Sequence, residues 1–419
     1  MNIGLVAQPI DGVLPPRQNS IGLVMYNTAL QLARNENVTL YFKRRRDVSS
    51  DGWPFGIEMI DSLLDDALDW TAGRYPRWAD RLGLRSCADK SIGYGRAVSR
   101  AMERRSCDVV HLMNYWPLCR ALRAPGRALV LEMHSEWLSQ MDAGQVQRQL
   151  ESVDAIVGVS GHIANLVRRS FPDYQGLIET VYNGVDIDFF CPPETASSAQ
   201  RGGDGKRRVL FVGRLSPEKG AHVLIEAFAE VARRFPEVVL DLVGPRTVSP
   251  YRYLVGLSTD PLVRQLAGFY DGSVTHDYQD YLNRMVARFG LENRVQFLGN
   301  VSHRDLLCRY QSADVVVNAS LSESFGLSMI EAMATAVPVV ATRVGGMLET
   351  VLDGETGLLV DAADPAALAD ATIKVLEDPK LACRLGRLGR SRAVETFSWR
   401  TRGDRLLAIY RQVAKRPVD

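Results

Sequence analysis

The sequence predicts an α/β chain of two parallel-sheet domains. Three observations carry that expectation. Short apolar runs alternate with helical patterns along nearly the whole length, a single break without apolar period divides the chain near its middle, and the 419 residues suit two domains better than one. Apolar residues make up 46% of the chain, enough for two buried cores.

In the first half, Ile3–Ala7, Val38–Phe42, Val109–Met113, Leu129–Met133 and Ala155–Val159 read as strands. They are almost unbroken in apolar character, as strands covered on both faces are. Helical patterns at Leu23–Arg34 and Gly161–Arg169 lie between them. The break runs from Pro192 to Gly205, rich in Pro, Ser and Gly. In the second half Val209–Val212, Val238–Val243, Val295–Leu298, Val315–Val317 and Val337–Ala341 read as strands, with helical patterns at Gly220–Phe235 and Ser328–Thr335. The expected division is a Rossmann-like domain over 1–190, a linker over 191–206 and a second Rossmann-like domain over 207–397. A last helix, about 398–419, is expected to pack back on the first domain. Open parallel sheets bind ligands beyond the carboxyl ends of their strands, so two such domains facing each other imply a cleft between them. Two stretches exceed ordinary connections: 43–107, with Trp53, Trp70, Tyr75 and Trp78, and 245–294, with Tyr251, Tyr253, Tyr270, Tyr278 and Tyr281.

Charge and cysteine usage exclude several classes. Lys and Arg total 50 against 49 Asp and Glu, which leaves no general field for nucleic acid. The local cluster Lys43-Arg44-Arg45-Arg46 reads as a solvated loop, with peripheral contact to a membrane surface or an anionic acceptor as the second reading. The six cysteines are scattered without Cys-x-x-Cys spacing, which is neither a disulfide framework nor a zinc signature and fits a reduced compartment. Met1-Asn2 leads straight into the first strand, and no apolar run has the length of a membrane span. A cytoplasmic protein is expected, with the inner face of the membrane as a possible station and homodimerisation left open.

The strongest chemical signal is Glu323-Ser324-Phe325-Gly326-Leu327-Ser328-Met329-Ile330-Glu331, set between the strand Val315–Val317 and the helical pattern Ser328–Thr335. Gly326 allows the backbone to approach a ligand, and the helix start offers free amides and a positive dipole end. That is an anion site suited to a diphosphate. Glu331, one turn into the helix, can accept hydrogen bonds from ribose hydroxyls, while Glu323, before the turn, reaches the sugar end. Alone, Glu323 would read as a capping carboxylate and Glu331 as a solvated helix face. The second signal is Gly213-Arg214-Leu215-Ser216-Pro217-Glu218-Lys219-Gly220, after a buried strand. Arg214 offers a fork and Lys219 a point charge for phosphate oxygens; the plain alternative is a βα loop with two surface cations. Neither a P-loop nor a Gly-x-Gly-x-x-Gly fingerprint is present.

With these elements the sequence resembles the retaining GT-B glycosyltransferases of the large bacterial family with the E-x7-E motif, the family 4-like group. The likeness covers most of the chain and is densest from 181 to 360. It is carried by Glu323 through Glu331, by Gly213, Arg214, Lys219 and Gly220, by Asn183-Gly184-Val185-Asp186, by Val295–Gly299 with Asn300-Val301, and by the glycine-bearing stretches 342–346 and 354–360. The resemblance implies that Arg214 and Lys219 bind the diphosphate beside Gly213. It implies that Ser324 and the amides of Phe325, Gly326 and Leu327 hold donor sugar and phosphate, that Glu323 meets the sugar hydroxyls, and that Glu331 takes the ribose. Asn300 and Val301 match the strand end that contacts the donor base, and His134 matches a histidine near the reacting sugar. Many members carry a Gly-Gly pair after the first strand; here only Gly22 remains, with Ser20 and Ile21 before it.

The reaction expected is transfer of a sugar from a nucleotide-diphosphate donor, read as a UDP-sugar, to a hydroxyl of a glycan, lipid-linked or small-molecule acceptor. Retention follows from the resemblance. No side chain is an obvious nucleophile, so attack on the face of departure is expected, with Arg214, Lys219 and the helix start stabilising the growing charge of the leaving group. The acceptor is expected on the first domain, at Gln8–Gly22, at Asn114-Tyr115-Trp116, or in 43–107. Asp186-Ile187-Asp188 has Asp-x-Asp spacing, but Asp186 already belongs to the Asn-Gly-Val-Asp element, so no metal or other cofactor is expected. The alternatives are a GT-B nucleotide-sugar epimerase and a non-catalytic nucleotide-sugar-binding protein.

Overall fold

The structure, a computed structural model, describes residues 1–15, 18–45, 52–62, 91–193 and 205–415, together with Asp65 and Ala67. Trp70, Tyr75, Trp78 and Arg46, and most of the expected 191–206 linker, lie outside the described residues.

The chain forms two compact units. The first comprises Met1–Gly184 and Trp399–Asp419, the second Val185–Ser398. The first unit holds a parallel sheet of seven strands in the order β3-β2-β1-β4-β5-β6-β7: β1 (Asn2–Val6), β2 (Asn37–Lys43), β3 (Gly56–Ile60), β4 (Val109–Met113), β5 (Ala128–Met133), β6 (Ala155–Gly158) and β7 (Leu177–Thr180). The second unit holds a parallel sheet of six in the order β10-β9-β8-β11-β12-β13: β8 (Arg207–Val212), β9 (Val238–Val243), β10 (Val295–Gly299), β11 (Val315–Asn318), β12 (Val339–Thr342) and β13 (Leu358–Val360).

The central strands are buried along their whole length because helices cover both faces. All ten strands expected from sequence are present. The other three, β3, β7 and β13, are short and only partly buried, so they lack the continuous apolar run that marks an inner strand. Helix starts are capped by side chains: Asn19 accepts from Gly22 N, Ser160 from Ile163 N, and Ser302 from Asp305 N. In the second unit Phe211, Leu224, Phe228, Leu240, Leu242 and Leu282 form the heart of the core.

Each sheet reverses its strand order once. β1 to β3 run outward one way and β4 to β7 the other; β8 to β10 and β11 to β13 do the same. The reversals lie between β1 and β4 and between β8 and β11, and such points leave a crevice beyond the strand ends. The helix Trp399–Ala414 belongs to the first unit and lies along the helix Ser20–Leu32. The first segment of that unit ends at Gly184 rather than at 190, because Asp186–Phe190 pack within the second unit. Phe189 stacks on His303 at 4.5 Å, and Arg390 donates to the Phe190 and Ile187 carbonyls at 2.9 Å each.

Candidate functional site

In the second unit, the loops after β8 and β11 carry the charged residues singled out from sequence, and these loops flank the reversal point. Gly220 makes their approach possible. Its φ is +67°, and a Cβ there would lie 1.9 Å from the Ala319 carbonyl oxygen, at the end of β11. The Leu321 amide then donates to the Glu218 carbonyl at 2.8 Å, tying the two loops together. The result is an ion pair between Lys219 Nζ and Glu323 Oε2 at 2.6 Å, with both side chains mostly buried.

The Glu323 loop is held from behind. Its carbonyl accepts from Gly346 N at 3.0 Å, and the Thr350 hydroxyl donates to the Phe325 carbonyl at 2.6 Å. Gly326, at φ +95°, is the left-handed residue that starts the helix Leu327–Ala334. The Met329 amide already donates to the Gly326 carbonyl at 3.0 Å, and the amides before it stand ahead of the helical ladder at the positive end of its dipole.

Arg214 lies at the rim, about half exposed. Its Nη1 donates to Ser249 Oγ at 2.7 Å and its Nη2 to Glu218 Oε1 at 3.2 Å, while Ser249 Oγ donates to the same Glu218 oxygen at 3.1 Å. Glu218 is buried, and its Oε2 has no hydrogen-bond partner among the described residues. Glu331 accepts a hydrogen bond from the fully buried Tyr310 hydroxyl at 2.7 Å. Burial pushes the Glu331 carboxyl up to about 7, against the opposing effect of that hydrogen bond. Gly213 closes β8, its amide donating to the Val243 carbonyl at 2.9 Å. Asn300 and Val301 follow β10, on the far side of β9 from that loop.

Asp186 Oδ1 accepts from the amides of Asp188 at 3.2 Å and Phe189 at 3.0 Å, as a turn-capping aspartate does. The basic cluster after β2 is also engaged. Arg44 Nε bonds Asp61 Oδ1 at 2.8 Å and Arg45 donates to the Ile10 carbonyl at 2.9 Å. Among the described residues, no helix is long and apolar enough to cross a membrane.

In the first unit, the acceptor candidates Gln8–Gly22 and Asn114-Tyr115-Trp116 follow β1 and β4, either side of the other reversal point. Asn114 is 2% exposed, and its Oδ1 accepts from His134 N at 2.8 Å. It therefore holds the His134 loop, while the half-buried Tyr115 and Trp116 remain as the accessible part of that motif. Gly22 is placed by packing: a Cβ would lie 1.8 Å from the Gly12 carbonyl oxygen, and its amide donates to Asn19 Oδ1 at 2.8 Å. In this structure its N–H serves the helix cap at Asn19.

His134 is nearly buried, with Nε2 2.8 Å from Glu132 Oε1. Glu132 is wholly buried. Burial acts to raise its carboxyl, but Arg402, His134 and His111 outweigh that and hold it well below the usual range. Tyr310, Glu218, Ser249, Glu132 and Arg402 carry no sequence signal of their own, since each acts through a partner far along the chain or hidden in an ordinary loop.

Comparison with known proteins adds to this geometry. Residues 194–392 match the family model described as Glycosyl transferases group 1, and residues 21–189 match Glycosyltransferase Family 4. The chain is 32% identical over 307 residues to the GDP-mannose-dependent alpha-(1-6)-phosphatidylinositol monomannoside mannosyltransferase of Mycolicibacterium smegmatis, covering 70% of this chain and 72% of that one. It is 32% identical over 286 residues to the D-inositol 3-phosphate glycosyltransferase of Corynebacterium urealyticum, spanning 65% of this chain but only 60% of the relative. Among solved structures it is similar to sucrose-phosphate synthase from Thermosynechococcus elongatus, with a TM-score of 0.70 at 24% identity over 98% of both chains. Anabaena HepE in complex with UDP gives 0.69 at 20% identity over 98% of this chain and all of that one. The structural likenesses are likenesses of fold; with the two parallel-sheet units they identify the architecture as GT-B.

Proposed function

Because the chain belongs to the group 1 glycosyl transferases, with a Family 4 match in its N-terminal half, we propose that it transfers a sugar from a nucleotide-diphosphate donor to a hydroxyl acceptor with retention of configuration. The observation that carries this reading is the Lys219–Glu323 pair at 2.6 Å, beside the helix start at Gly326 and at the β8/β11 reversal point. Lys219 supplies positive charge for the diphosphate, and Glu323, fixed by that lysine, accepts from the donor-sugar hydroxyls. The amides of Gly326 and Leu327 receive phosphate oxygens. Arg214, whose fork rests on Glu218 and Ser249 in this structure, adds its positive charge for the same phosphates. Glu331 takes the ribose hydroxyls, and Asn300-Val301 border the base.

As the anomeric bond breaks, negative charge grows on the leaving diphosphate, and these groups are already aimed at it. The acceptor hydroxyl attacks from the same face and gives its proton to a leaving phosphate oxygen, so no side-chain nucleophile is required. His134 is read as the histidine that serves the reacting sugar, and Tyr115 and Trp116 as the residues that receive the acceptor. UDP is the donor nucleotide in this reading, in line with the UDP bound by HepE, while the mycobacterial relative is named for GDP-mannose. The test is a thermal-shift panel of UDP-, GDP- and ADP-sugars followed by product analysis with the stabilising donor. A ligand that binds the native state raises apparent stability. Stabilisation by a UDP-sugar and an acceptor-dependent product of unchanged anomeric configuration are expected. Isomerisation of the donor without transfer would replace the reading with an epimerase, and an inverted product would remove the same-face mechanism.

A further inference from the structure

A buried polar network in the first unit joins the candidate histidine to the helix Trp399–Ala414. Both Glu132 oxygens accept from Arg402 Nη2, at 2.7 and 2.6 Å. The Arg402 Nε donates to Thr28 Oγ1 at 2.9 Å and its Nη1 to the Tyr182 carbonyl at 3.2 Å, so the guanidinium is fixed on three sides. On the other side of the carboxylate stand His134 Nε2, 2.8 Å from Oε1, and His111 Nε2, 2.9 Å from Oε2, both at ion-pair distance but off the line of a hydrogen bond. His111 Nδ1 in turn lies 2.5 Å from the Tyr410 hydroxyl, again on the C-terminal helix.

The proton positions follow from donor and acceptor types. An ionised carboxylate only accepts, so a ring nitrogen facing it carries hydrogen. Burial pulls the His111 imidazole below its usual value, against the pull of Glu132, and so favours the neutral ring. With its proton on Nε2, its Nδ1 is an acceptor, and the Tyr410 hydroxyl donates to it. The same argument places a proton on His134 Nε2 and leaves Nδ1 as the ring's other functional atom. The main chain of His134 is held independently by Asn114 Oδ1 at 2.8 Å. The charged and titratable groups that bear on His134 are Glu132 on its own strand, His111 on β4, Arg402 on the C-terminal helix, and Asp11 in the loop after β1.

We propose that Glu132 and Arg402 are positioning residues for His134: the carboxylate fixes the ring with its proton on Nε2, and the C-terminal helix, through Arg402, fixes the carboxylate. The consequence for catalysis rests on the reading of His134 given above; the positioning itself does not. Second partners of this kind typically change activity about 10–100-fold when lost, because ring orientation and tautomer drift.

The test is long-range 15N–1H correlation of the full chain labelled at histidine, without donor, together with steady-state kinetics. The wild-type spectrum is expected to show His134 with hydrogen on Nε2 and an unprotonated Nδ1. Glu132→Gln offers one acceptor oxygen and an amide donor where two acceptors stood. It is expected to release the tautomer and lower kcat about 10–100-fold with little change in donor KM. Arg402→Lys is expected to fall between wild type and Arg402→Met in both readouts. A wild-type His134 with hydrogen on Nδ1, or a tautomer unmoved in both Glu132→Gln and Arg402→Met, overturns the proposal. A released tautomer with wild-type rates upholds the positioning and removes His134 from the reaction. Should the substitutions prevent folding, the wild-type spectrum decides alone.

Discussion

Glu331 allows a quantitative test through pH. Burial pushes its carboxyl, ordinarily at 4.5, up to about 7 in the folded chain, while the hydrogen bond from Tyr310 favours its ionised form. The unfolded chain releases this proton at 4.5 and the folded chain keeps it to about 7. Between those values the unfolded state binds fewer protons, so the stability contributed by this group is full below 4.5 and is lost as pH rises through about 7. At about 1.4 kcal/mol per pH unit the loss amounts to roughly 3 kcal/mol. In the proposed reading both ribose hydroxyls donate to Glu331, and only the ionised carboxylate leaves both oxygens as acceptors, so the donor selects that form. At pH 6 about a tenth of the free protein is ionised at this group, which weakens apparent donor affinity about tenfold relative to pH 8. The assay is calorimetric titration with an intact nucleotide sugar, whose two phosphates are esterified and keep constant charge over this range. Affinity is expected to rise about tenfold from pH 6 to pH 8 with proton release on binding. Glu331→Gln is expected to flatten that rise, and Tyr310→Phe to move its midpoint to higher pH. Equal affinities at the two pH values in the wild-type chain would refute the reasoning.

The other expectations concern particular contacts. Lys219→Ala and Glu323→Ala should each lower transfer by about 100-fold or more, with circular dichroism unchanged, since both side chains lie at the mouth of a loop and not in the core. Gly220→Ala should destabilise by more than about 2 kcal/mol, because a left-handed alanine is strained and its Cβ collides with a fixed backbone oxygen; thermal denaturation reads this directly. Arg402→Met should cost roughly 3–5 kcal/mol by stranding the Glu132 charge, whereas replacing Arg402 and Glu132 together by apolar residues should cost less than the single change; denaturant titration of all variants distinguishes the two.

Much of the fold is legible in the sequence because inner strands of a doubly covered sheet must be apolar throughout. β3, β7 and β13 escaped notice because partial exposure mixes their pattern. The approach of the β8 and β11 loops was legible for a related reason: Arg214, Lys219 and Glu323 sit on short loops punctuated by glycine, with Glu331 one turn into the following helix, where spacing along the chain translates into place in the fold. The partners were not. Tyr310 lies on an ordinary helix face 21 residues from Glu331, and Arg402 lies 270 residues from Glu132. Nothing local distinguishes such residues from core and surface positions. Asn114 and Gly22 stand in the expected loops, and the structure adds a local role that spacing does not reveal: Asn114 Oδ1 holds the main chain of His134, and the Gly22 amide is capped by Asn19.

The first unit is assembled from two separate stretches of chain, and this bears on its biosynthesis. A ribosome that has delivered residues 1–184 has made every strand of that sheet but not the guanidinium its interior carboxylate requires. The whole of the second unit must be translated before Arg402 emerges. The nascent N-terminal half therefore waits with Glu132, His111 and His134 unsealed, while the later half, continuous in sequence, can finish folding ahead of it. Premature termination before Trp399 would leave an almost complete polypeptide with an unneutralised acid at its heart.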